Sequence, residues 1–178
     1  KNKSFYVTWG YTRAAYTKST IHFWDHSGKY HPVTGNYNNY ELSYLVSPVF
    51  DMSCFTSDPH ISFKHTYFTE DNYDFHWMEI SINGGSWTKL GAAGTGANWY
   101  QTWRDDNSGN FLDVWCGNYT YNTGWETAEH VLTGAAGSNN VRIRFVMQAD
   151  AYVQYEGIGI DDIQIYLPNP TLNPPSLV

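Results

Sequence analysis

Residues 141–165, VRIRFVMQADAYVQYEGIGIDDIQI, join two apolar-alternating runs through an acidic loop and end on a pair of aspartates. In the first run Val141, Ile143, Phe145 and Met147 fall on one face while Arg142, Arg144 and Gln148 fall on the other, the period of two expected of a half-buried strand. Ile163, Ile165 and Leu167 repeat the pattern. The stretch therefore predicts the closing hairpin of a β-sandwich. Outward from it the same signature recurs. Ile61, Phe63, His65 and Tyr67 share one face, as do Met78, Ile80 and Ile82. Asn83-Gly84, between EISI and SWTKL, is the strongest short-range hairpin signal, because a type I′ turn needs two residues that tolerate positive φ. Residues 69–90 are thus expected to be mostly hairpin.

The rest of the 178-residue chain fits an all-β reading: aromatics are 18%, charged residues only 15%, and Gly, Asn, Ser and Thr punctuate short β-branched and aromatic runs. FYVTW (5–9) and TIHFW (20–24) are candidate strands of uncertain role. Helix has little to build on; Glu126 to Leu132 alone has helical flavour and is too short to stand without tertiary support. Residues 31–41 are turn chemistry, and residues 91–125, rich in Gly, Asn, Asp and Trp, form a long irregular loop of the kind that often carries function. One domain over 1–167 is expected, with 168–178, PNPTLNPPSLV, as a proline-rich linker or tail.

Four segments, NYELSYLVSPVFDMSCFTSDPHISF, TEDNYDFHWMEISINGGSWTKLG, GWETAEHVLTGAAG and the stretch quoted first, together resemble a MAM-like jelly roll, nearest to the choice-of-anchor and immune-inhibitor-A-like accessory domains of large secreted bacterial proteins. The likeness covers about residues 36–167 and departs from the pattern over 1–35. It implies a jelly-roll β-sandwich of two antiparallel sheets, in a secreted or cell-surface setting, beside neighbouring domains of a larger chain.

A net charge of −7 with ten scattered basic residues argues against nucleic acid. No run of about 18 apolar residues is present to enter a bilayer. Residues 1–10 lack the pattern of a signal peptide. Cys54 and Cys116 are compatible with one disulfide or with two free thiols.

Calcium is the expected cofactor, since oxygen-rich sites need several carboxylates brought together. Glu70 and Asp74 supply them at the start of a strand, and Asp161 and Asp162 supply more, because alternation turns one of that pair inward. A salt bridge to Arg142 or Arg144 is the plainer alternative. A glycan or other cell-surface ligand is the expected partner. Planar rings stack on pyranose faces, and Phe75, Trp77, Trp99, Trp103, Trp115 and Tyr119 are the candidates, weighed against the ordinary use of aromatics as core. His65 is expected to be a hydrogen-bonded core residue. Catalysis is disfavoured. His22 and His26 lack the HExxH glutamate, no nucleophile elbow or phosphate loop occurs, and a glycosidase pair of Glu70 with Glu79 or Asp162 has only its residue types in its favour. The chain thus reads as a non-catalytic carbohydrate-binding or adhesion module, with a structural spacer beside a secreted protease or glycosidase as the alternative.

Overall fold

The computed structural model describes the backbone of residues 10–13 and 21–23 and the whole of residues 36–117 and 124–168. Residues 5–9, Tyr119 and the tail from 169 onward lie outside the described residues.

Eleven strands and no helix make up this part of the chain: β1 (Gly10–Arg13), β2 (Ile21–Phe23), β3 (Leu42–Val46), β4 (His60–Phe68), β5 (Phe75–Ile82), β6 (Thr88–Lys89), β7 (Gln101–Arg104), β8 (Phe111–Cys116), β9 (Glu126–Val131), β10 (Val141–Gln148) and β11 (Gly157–Tyr166). They form two sheets, a larger one in the order β1-β3-β10-β5-β8-β7 with β6 against β5, and a smaller one in the order β2-β11-β4-β9. Every pairing is antiparallel except β2 with β11.

The sheets meet over one core. Leu45, Met78, Ile80, Trp115, Ile143, Phe145 and Met147 come from the larger sheet, and Ile61, Phe63, Tyr67, Ala128, Ile158 and Ile160 from the smaller. Phe63 stands edge-on to Phe145 at 4.8 Å and to Trp115 at 5.8 Å, so rings from the two layers interlock. A second, smaller cluster lies on the outer face of the larger sheet, where Phe75, Val114 and Cys116 are buried with Trp77, Trp103 and Leu112 against them.

Several expectations are corrected. Residues 141–165 are not a hairpin: β10 pairs with β3 and β5, whereas β11 pairs with β2 and β4. Each strand has one apolar face, and placing them in opposite sheets turns both faces onto the same core, so residues 149–156 cross between layers. Glu126–Val131 is strand, paired along β4, because tertiary pairing decides so short a segment. Residues 91–125 are not one loop but contain β7 and β8. Asn83 and Gly84 have φ of 55° and 71°, as a type I′ turn requires, and β6 follows as a strand of only two residues. Cys54 is exposed and Cys116 buried, and both are free thiols.

Candidate functional site

At one end of the sandwich the β4–β5 turn and the 149–156 crossing come together. The register sets this meeting: Gln148 pairs with Phe75 at the end of β10, so the chain two residues past Gln148 lies beside the residue just before Phe75. Those residues are Asp150 and Asp74. With Glu70 they form a carboxylate node whose ligand atoms all lie within 4.8 Å of one another.

The turn is built by its own backbone. The Glu70 carbonyl accepts from Asp74 N at 3.1 Å, and Asn72 takes φ of 66°, a left-handed conformation that asparagine tolerates. Behind it sits Cys116, whose Sγ accepts from Asn72 N at 3.2 Å and donates to the Glu70 carbonyl at 3.3 Å. Burial pushes that thiol up to about 12, so it stays protonated and serves as a donor. Gly117 leaves room for Asp71: a Cβ there would lie 2.3 Å from Asp71 Oδ1.

Tyr37 organises the node. Its hydroxyl donates to Asp74 Oδ2 and accepts from Glu70 N at 3.2 Å, and its amide donates to the Tyr155 carbonyl at 3.0 Å. Asp74 is fully buried and its Oδ1 accepts from Asp150 N at 2.8 Å. Asp150 is held by Tyr152 N on Oδ1 at 2.8 Å and by Asn107 Nδ2 on Oδ2 at 3.2 Å.

The electrostatics run against three free carboxylates. Desolvation, then the charges of Asp74, Asp150 and Asp71, raise the Glu70 carboxyl. Asp74 is also raised, chiefly by burial, in spite of its bonds to Tyr37 and Asp150. Glu70 Oε2 is buried and has no hydrogen-bond partner among the described residues. Nor does any Lys or Arg among them pair with the three acids. These three carboxylates could hold a cation between them, through oxygen ligands of the kind Ca²⁺ takes.

Compared with known proteins, the chain matches no family model and no curated protein.

Of the four expected metal ligands the fold brings Glu70 and Asp74 together, with Asp150 beside them, and keeps Asp161 and Asp162 apart from that cluster. Asp161 and Asp162 sit in the opposite sheet at a break in register between Asp161 and Gln164, with Asp162 at φ of 51°. This bulge cancels the alternation that was expected to turn one acid inward. Asp162 instead pairs with Lys64 at 3.0 Å, and its amide donates to Asp161 Oδ1 at 2.7 Å. The arginine alternative fails as well, since Arg144 pairs with Glu79 at 2.5 Å on the outer face of the larger sheet. Glu79 and Asp162 are thus each held by a basic side chain, on different sheets.

The expected sugar-stacking rings are mostly consumed by packing. Phe75, Trp99 and Trp115 are buried and present no ring face to a ligand. Trp99 Nε1 donates to the Leu90 carbonyl at 3.0 Å and Trp115 Nε1 to the Asn98 carbonyl at 3.1 Å, which closes residues 90–99 over the core. Trp77 is half-buried with Nε1 on Glu79 Oε1 at 2.8 Å, and Trp103 is half-buried against the outer cluster. Beside them the Arg144 guanidinium lies between the rings of Tyr44, at 4.3 Å, and Trp87, at 4.5 Å. His65 is core as expected, but both its ring nitrogens lack hydrogen-bond partners.

Proposed function

We propose that this chain is a non-catalytic binding module of a larger secreted or cell-surface protein, working in adhesion or carbohydrate binding, and that Glu70, Asp74 and Asp150 hold a structural Ca²⁺. The observation that carries the cation is the unpaired carboxylate node with its buried, unpartnered Glu70 Oε2. Ionised carboxylates at that spacing repel one another unless a cation or a proton intervenes. The likeness of residues 36–167 to MAM-like accessory domains supports the extracellular setting.

Calcium melting curves test this reading. A site of about 10 μM affinity adds roughly 2.7 kcal/mol at a hundredfold excess of ligand, enough to raise the melting temperature by several degrees. Chelator should remove the gain, and Glu70→Gln with Asp150→Asn should abolish it. A melting temperature indifferent to millimolar Ca²⁺ and to chelator would remove the cation from the proposal.

A second reading, a structural spacer with no specific ligand, is favoured by the burial of Phe75, Trp99 and Trp115, which takes away half of the rings first expected to meet sugar.

A further inference from the structure

Four of the eight large apolar side chains most exposed among the described residues, Tyr40, Leu42, Tyr152 and Val153, lie in the segments that meet around Asp150. Tyr40 is 78% exposed and Tyr152 74%, the two highest values among those residues. Both are fixed at the backbone to the same residue: Tyr40 N donates to the Asp150 carbonyl at 2.5 Å, and Tyr152 N to Asp150 Oδ1 at 2.8 Å. Leu42 reaches this end through its pairing with Gln148.

We propose that Tyr40 and Tyr152 form the contact site for a neutral glycan. This rests on the binding-module reading above, though not on its cation. A tyrosine ring offers a broad stacking face with only two rotatable side-chain bonds, so a ring whose backbone is already fixed loses little freedom on binding. Asp150, which both backbones contact, accepts from Asn107 Nδ2 at 3.2 Å, and exposed Asn36 donates to the Gln154 carbonyl of the same crossing, so amides and a carboxylate that suit hydroxyl groups lie in the segments that carry the two rings. Exposed ring faces together with such groups match a pyranose, with its apolar C–H face and hydroxyl rim. Charge selects within the class. Glu70, Asp71, Asp74, Asp106 and Asp150 lie at this end, and Arg104 is occupied by Asp106 at 2.8 Å, so an anionic sugar is repelled.

The test is affinity electrophoresis of the whole chain through gels containing neutral polysaccharides (mannan, xylan, β-glucan, galactan) or acidic ones (alginate, heparin). Expected is retardation by at least one neutral polymer, weakened tenfold or more by Tyr40→Ala and by Tyr152→Ala, and unaffected by Trp125→Ala. Tyr152 has no left-handed backbone, so its variant keeps the test decisive if Tyr40→Ala misfolds. Retardation by acidic polymers alone, by none, or equally by wild type and the double variant would overturn the proposal. Melting curves with calcium, and release of reducing ends from the same polymers, report separately on the cation and on the non-catalytic reading.

Discussion

Two acidic places in this molecule are alike as sequence and opposite as structure. At the node, Glu70, Asp74 and Asp150 converge with no lysine or arginine of the described residues to neutralise them, and burial lifts Glu70 and Asp74. At the β11 bulge, Asp162 meets Lys64 across the strand pair, and both remain partly in water. Acidic residues close in sequence are therefore a poor guide to a cation site. What separates the two cases is whether the pairing partner supplies a positive charge, and that is a property of register.

The largest expected effect tests the node against another buried polar feature by pH. Burial pushes the His65 imidazole from its ordinary 6.5 down to about 3, with buried His76 and partly buried Glu126 facing it. The folded state then binds fewer protons than the unfolded chain between those values. His65 stabilisation is complete above pH 6.5 and is lost as pH falls, by up to about 5 kcal/mol at roughly 1.4 kcal/mol per pH unit. His65→Phe should make that acid limb shallower in urea melts run from pH 7 to 4, with His76, also lowered by burial, carrying the remainder; an unchanged limb would assign acid sensitivity elsewhere. The raised Glu70 and Asp74 act with the opposite sign. Their folded forms hold extra protons above the ordinary carboxylate range, so stability falls as pH rises through the raised values, and saturating Ca²⁺ should erase that decline.

Next in size comes the direct contrast. Asp74→Ala leaves the Tyr37 hydroxyl and Asp150 amide without their acceptor in a buried place and should cost about 2–4 kcal/mol in urea denaturation. Asp162→Asn, which tolerates the left-handed φ of 51°, removes a solvent-screened pair and should cost under about 1 kcal/mol. Equal costs would end the distinction drawn between the two sites. Removing the Lys64 charge with Lys64→Met should have an effect as small as that of Asp162→Asn.

Much of the strand pattern was legible in the sequence. Alternation placed Ile61, Phe63, His65 and Tyr67 on one face and Met78, Ile80 and Ile82 on another, and the Asn83-Gly84 turn formed as its chemistry requires. Alternation gives a strand's faces but not its neighbours. The same apolar periodicity in β10 and β11 suits a hairpin or two facing layers, and the layers prevail because both faces then share one core. Asp150 was missed for that reason: it joins Glu70 and Asp74 only once Gln148 is set opposite Phe75. Nor does aromatic identity say whether a ring faces core or solvent. Trp99 and Trp115, from the stretch read as a loop, close the core, while Tyr40, in the stretch read as turn chemistry, and Tyr152, in the acidic loop, are among the rings left in water.

The parallel contact of β2 with β11 bears on how such a module behaves under load. β11 is ten residues long and bonded on both sides, to β4 in antiparallel register and to β2 in parallel over Ile158, Gly159 and Ile160. A pull on the chain past Tyr166 runs along that strand, so the ladders on either side are loaded in shear, many bonds at once, rather than peeled one by one. The force needed to extract β11 should accordingly exceed that for a strand unzipped from an edge, which single-molecule pulling from residue 168 would measure. Among the described strands, β11 would then act as the mechanical clamp.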